Sequence, residues 1–206
     1  MLAYLFWHRP RDAAATATYE RAHIAFHRSL AHVPPVGFLG SVALRVAQLP
    51  WQPSGFTEPS LPGEEGGGGY EDWYFVEDYA ALGVLNEAAV GRGHRTAHDD
   101  VARRSGPSAG GLYGLIEGHR PPPLEETSLA VWVAGSPRPG RHELGELLGD
   151  GIDPRCASLW RRQLVLGPAP EFCLLAPKQP AGASPARLPD GWQATALRRE
   201  TLWAGS

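Results

Sequence analysis

Apolar and polar positions along the chain fall into stretches of two periods. Residues 2–8 (LAYLFWH) are rich in aromatic and β-forming side chains, and Arg9-Pro10 closes the run because proline has no N–H to give a ladder. The period then lengthens. Thr16 or Thr18 can cap a helix running to about His32, with Tyr19, Ala22, Phe26, Leu30 and Val33 on one face and Pro34-Pro35 as its stop. Residues 36–49 predict a long strand, and the prolines and four consecutive glycines of 50–69 predict an exposed, mobile loop. Residues 70–76 (YEDWYFV) give the clearest strand of the chain. Glu77 and Asp78 open a helix over 79–90, where acids suit the positive end of the helix dipole. A short helix over 97–104, a Gly-rich turn (SGPSAGG) and a strand over 111–117 follow. The first half is therefore β, α, β, β, α, β, the order of a split βαβ unit.

Beyond Pro121-Pro122-Pro123 the pattern starts again in shortened form. Strands are expected over 129–134, 158–166, 171–176 and 192–203, with a short helix over 141–148. A Pro/Ala/Gly segment over 177–189 stands where a second helix would fall. The two halves, 1–120 and 124–206, share element order and not residue identity.

Composition narrows the function classes. A net charge of -3 provides no general attraction to nucleic acid or to an anionic membrane surface. The 18 arginines against the single Lys178, with 25 glycines and 20 prolines, fit codon usage of a GC-rich bacterial genome. The N-terminal MLAYLFWHRP lacks a basic segment and a small-residue cleavage site, so it is expected to be a strand of a cytoplasmic protein. No run approaches the ~20 apolar residues of a membrane helix. Cys156 and Cys173 have no CxxC spacing and are expected as reduced thiols, although neighbouring strands would permit a bridge.

The element order across the chain, together with the text AHDDVARRSGPSAGGLYGLIEG, resembles the dimeric α/β barrel superfamily. The resemblance implies an α+β protein of two fused ferredoxin-like units, each an antiparallel sheet with helices on its outer face, the second unit trimmed. It also implies a cavity between a sheet and its helices, or between two sheets, that holds a small aromatic or apolar molecule. Members include cofactor-free monooxygenases and haem-binding proteins, so fold alone selects no chemistry.

Candidate chemistry rests on histidine. His23 and His27 are spaced i, i+4 with Glu20 nearby, and His94 and His98 repeat that spacing before Asp99 and Asp100. Such pairs present two imidazoles to one metal when a third ligand converges. The plainer alternatives place His23 at the border of the apolar face with His27 in solvent, and His94 and His98 at a hydrogen-bonded helix start. Any of the four could also face a haem, for which no attachment motif is present. The SGPSAGG turn lacks the Lys and Ser/Thr of a phosphate loop and leads into a strand. Aromatics on the strands, Tyr4, Phe6, Trp7, Trp73, Tyr74, Tyr113, Trp132 and Trp160, alternate between the two faces and are mostly expected as core beneath the helices, while the resemblance implies a pocket lined by such residues. With the chemistry that the resemblance implies, these observations predict a small-ligand protein, monooxygenase-like or haem-linked, with His98, His23 and Tyr113 at the ligand. The expectation is no cofactor, with haem or a divalent metal on His23, His27, His94 and His98 as alternatives. The expected partners are a small molecule and further copies of the chain, with neither nucleic acid nor membrane. From a different class, a non-catalytic binding or stress-related assembly protein would have its barrel filled by its own side chains.

Overall fold

The computed structural model describes residues 1–46, 69–91, 93–118, 129–135, 157–166, 170–176 and 190–206. In chain order these form β1 (Leu2–Pro10), a 3-10 turn (Ala13–Ala15), α1 (Thr16–His32), β2 (Phe38–Val46) and β3 (Gly69–Val76). There follow α2 (Tyr79–Val90), α3 (Arg95–Arg104), β4 (Ser105–Gly118), β5 (Leu129–Gly135), β6 (Ser158–Leu166), β7 (Phe172–Ala176) and β8 (Trp192–Gly205). The expected loop over 50–69 (all but Gly69), the helix over 141–148, the segment over 177–189 and Cys156 lie outside the described residues. No described helix is long and apolar enough to cross a membrane.

The eight described strands join one closed antiparallel barrel in the order β1-β3-β2-β8-β5-β7-β6-β4. Read around the ring, the first-half strands stand as 4-1-3-2, and β8-β5-β7-β6 repeats that order for the second half. Closure joins the halves at two antiparallel seams, β2 with β8 and β4 with β6.

Alternation along each strand sorts side chains to two faces. Ala3, Leu5 and Trp7 of β1, Val42, Leu44 and Val46 of β2, and Trp73 and Phe75 of β3 point into the barrel. There they meet Tyr113, Trp132, Trp160, Cys173 and Leu175. Four tryptophans with no accessible surface to speak of fill the lumen with rings packed edge to face, as between Trp7 and Trp132 at 5.6 Å and Trp73 and Trp160 at 5.7 Å. Glu71 is buried among them, accepting from Trp7 Nε1 at 2.9 Å and Trp73 Nε1 at 2.7 Å, with Arg199 Nη2 3.4 Å away. The Cys173 thiol is free, and burial pushes its pKa up.

The opposite face of β1, β3, β2 and β4 carries the helices. Leu2, Tyr70, Tyr74, Val76 and Leu112 of the strands pack with Tyr19, Ala22, Phe26 and Leu30 of α1, Ala81, Leu85 and Ala89 of α2, and Val101 of α3. The three described α-helices therefore cover one face of the first-half sheet. The Gly-rich stretch differs from expectation, because Ser105 to Gly111 is already strand and not a turn. Its glycines make room for rings: a Cβ at Gly110 would lie 3.0 Å from the Tyr4 hydroxyl, and one at Gly111 3.0 Å from the Tyr113 ring.

Candidate functional site

Asp72 sits in the middle of β3 on the helix-facing side, directly across from Phe6 and one diagonal step from His8. Tyr19, His23 and His27 follow one another at i, i+4 and i+8 along the buried face of α1, which lies over that strand. Two secondary-structure periods thus bring three imidazoles to one carboxylate. Asp72 Oδ2 lies 3.0 Å from His8 Nε2, and Oδ1 lies 2.6 Å from His23 Nε2 and 3.4 Å from His27 Nε2. The Tyr74 hydroxyl adds a donor to Oδ2 at 3.0 Å.

The outer nitrogens of these rings are held differently. His8 Nδ1 meets the Tyr19 hydroxyl in a short hydrogen bond, and that hydroxyl is 3.4 Å from Ser105 Oγ. His27 Nδ1 bonds Ser41 Oγ at 2.8 Å while its ring stacks on Tyr74 at 4.9 Å. His23 Nδ1 is buried with no hydrogen-bond partner. A histidine that gives its Nε2 proton to Asp72 carries a lone pair on Nδ1. His23 therefore presents an unengaged acceptor.

Electrostatics follow from burial. His8 and His27 are pulled below the ordinary imidazole pKa by desolvation, which outweighs the opposing pull of Asp72. Burial alone would raise the Asp72 pKa, yet the imidazoles, His23 foremost, hold it well below the usual carboxylate range. Tyr74, Tyr19 and Tyr4 are raised, chiefly by burial and further by Asp72, so they stay neutral phenols.

The cluster forms the polar end of a cavity of about 860 Å³ between the sheet and the helices. His8, His23, Asp72, Tyr19 and Tyr74 line that end; Tyr4, Phe6, Phe26, Leu82, Leu85 and Val101 supply apolar wall. Such a volume suits a drug-sized or fused-ring molecule.

Of the residues expected at a ligand, His23 is central, and His98 lines the cavity at 30% side-chain exposure, 3.2 Å from Asp99 Oδ1 with its ring against Phe26 at 5.6 Å. Tyr113 points to the other face of the sheet: it lies inside the barrel, and its hydroxyl donates to the Pro170 carbonyl at 2.7 Å. The expected four-histidine metal set is divided. His27 is fully buried beside Asp72, not solvated, whereas His94 bonds Ser29 Oγ and the Val33 carbonyl, both at 3.1 Å, and ties the end of α1 to the start of α3. Asp72, His8, Tyr19 and Tyr74 were not singled out from the sequence as site residues. The signal was present in the acid pair Glu71-Asp72 amid an otherwise bulky, apolar strand, where alternation must bury a carboxylate on each face.

No protein-family model matches the chain, and no curated protein matches it. A crystal structure of a candidate monooxygenase from Lactobacillus acidophilus NCFM is similar in fold, with a TM-score of 0.50, 8% identity and coverage of 100% of this chain and 96% of that one. An anthrone oxidase-like protein gives a TM-score of 0.48 at 8% identity, covering 98% and 93%. The first of these likenesses supports the α+β fold.

Proposed function

We propose that the chain is an oxygenase of small fused-ring phenols, built as two fused ferredoxin-like units, with His23 as the general base and Asp72 as the group that orients and polarises it. The observation that carries this reading is the unpartnered His23 Nδ1 on a ring whose Nε2 is anchored to a buried carboxylate, at the wall of an aromatic cavity. A base held by a carboxylate on one nitrogen and free on the other is the arrangement proton abstraction requires. The repeated 4-1-3-2 strand order supports the fused-unit reading, with 1–120 and 124–206 as the halves.

In this scheme His23 Nδ1 takes the phenolic proton, and the phenolate gives one electron to O2. The resulting radical pair joins at a ring carbon to form a hydroperoxide. Loss of water then leaves a quinone: one oxygen atom enters the product, the other leaves in water, and the base is restored. Tyr4, Phe6 and Phe26 hold the ring plane, and the filled barrel on the far side is structural support. A purely binding role would keep the same cavity without turnover.

The test is oxygen uptake with hydroxynaphthalenes and hydroxyanthracenes, read alongside quinone absorbance. One O2 per quinone is expected, with one atom of 18O2 in the product, and His23→Gln should lower kcat by about 10²–10⁴-fold while a non-oxidisable ring analogue still binds. Saturable binding of these phenols without uptake would assign the chain to the binding class instead.

A further inference from the structure

We propose that His8, His23 and Asp72 also form a site for one divalent first-row transition-metal ion, with the two imidazole Nε2 atoms and one carboxylate oxygen as ligands. One ligand atom from each residue lies within 4.8 Å of the other two. Bonds of 2.0–2.2 Å put neighbouring ligand atoms roughly 3 to 3.5 Å apart; His8 Nε2 is 3.0 Å from Asp72 Oδ2 and His23 Nε2 is 2.6 Å from Oδ1, so the carboxylate has to turn to bring one oxygen to both rings as they spread around the ion. The three residues stand on β1, α1 and β3, so rigid elements and no loop set their separation.

Charge favours a cation at this place. Asp72 is buried, and among the described residues its ion-pair partners are imidazoles, with no Lys or Arg reaching it. A buried carboxylate without a permanent counter-charge is costly, and a divalent ion between the three groups offsets that cost. Two neutral imidazoles and a carboxylate with open positions suit ions such as Fe(II), Co(II) and Zn(II). The outer contacts also suit a metal. The Tyr19 oxygen can accept from His8 Nδ1–H, while the Tyr74 hydroxyl and His27 Nε2 sit against the carboxylate. The remaining coordination positions open on the cavity.

Binding shifts protons without losing any: each ligating ring moves its proton from Nε2 to Nδ1. For His23 this fills the lone pair assigned above to the base. The metal-bound and base forms are then alternative states of one site, an inhibitory exchange that rests on the oxygenase reading, whereas the metal site itself does not.

Chelator-treated full-length protein is titrated with Co2+ and followed by visible d–d absorption, with Zn2+ as competitor and imidazole 15N chemical shifts as a second readout. The expected result is a saturable one-to-one band, displaced by Zn2+, with the His8 and His23 Nε2 resonances moving together. Asp72→Asn and His23→Gln should weaken binding by more than the ~10–100-fold typical of an outer-shell change, and exposed His32→Ala should leave it unchanged. If Asp72→Asn fails to fold, the wild-type titration and shifts decide alone. Absence of a saturable band, or shifts confined to other histidines, overturns the site. Oxygen uptake that persists under saturating Zn2+ overturns the exchange, whereas Co2+ binding in a protein with no uptake at all sinks the oxygenase reading and leaves the metal site standing.

Discussion

Asp72 is buried and gathers hydrogen bonds from His8, His23 and Tyr74, so its charge is held by charge-assisted bonds and not by bulk water. Asp72→Asn keeps the shape, removes the charge and turns one carboxylate oxygen into a donor facing imidazole N–H groups. Loss of charge-assisted bonds worth about 1.5–3 kcal/mol should lower Tm by roughly 4–10 °C for a chain of this length, measured by thermal unfolding. His98→Ala makes the opposite case. That ring is partly exposed and bonded to an exposed acid, so its loss should move Tm by under about 2 °C and weaken binding of a ring analogue a few-fold. An unchanged Tm for Asp72→Asn would show that the carboxylate does not anchor the face. The sequence shows why His23 was legible and Asp72 was not. Histidines at i, i+4 announce a shared face, whereas an acid inside a strand acquires meaning only when pairing places His8 diagonally beside it and α1 above it.

At the scale of elements, the turn before β2 fixes how α2 meets the sheet. Gly37 has φ +76°, its carbonyl accepts from Glu77 N–H at 3.0 Å, and a Cβ there would stand 2.5 Å from the Ala81 Cβ. Gly37→Ala therefore combines left-handed backbone strain with a clash at Ala81 that displaces α2, whose Leu82 and Leu85 form part of the cavity wall. Destabilisation of about 2 kcal/mol or more is expected by urea unfolding, with weaker ligand binding; a variant equal to wild type would show that α2 adjusts freely. Most elements were legible because their periods are uninterrupted: α1 runs from Thr16 to His32 and β3 fills 70–76 as the bulky residues require, although Ala15 and neither expected threonine stands at the N-cap of α1, which has no side-chain cap. The stretch 105–111 was not. Glycine and proline signal a turn locally, but here the glycines sit in a strand whose neighbours, Tyr4 and Tyr113, need the space a side chain would take.

Across the whole molecule, tryptophans fill the lumen, and the cavity with its buried histidines lies on the outside of the barrel beneath the helices. Element order pointed to a sheet with helices on one face, yet the choice between an inner and an outer cavity depended on ring volumes packing across the barrel, which no single strand records. This division has a consequence for acid stability. His8 and His27 are buried with pKa values lowered by desolvation, so below about 6.5 the unfolded chain takes up protons that the native protein does not. Stability therefore falls as pH drops, by up to about 1.4 kcal/mol per pH unit for each such imidazole. The Asp72 pKa is depressed, so its contribution is present above about pH 4 and is lost only as pH falls through its lower native value. Urea midpoints of chelator-treated protein should decline between pH 7.5 and 5, before ordinary carboxylates titrate, and fall again in stronger acid. His27→Gln removes one of the two buried rings named here while leaving an amide for Ser41, and should roughly halve the first decline. A midpoint that is flat from pH 7.5 to 5 would mean that these imidazoles are charged in the native state and that Asp72 already holds its counter-ions.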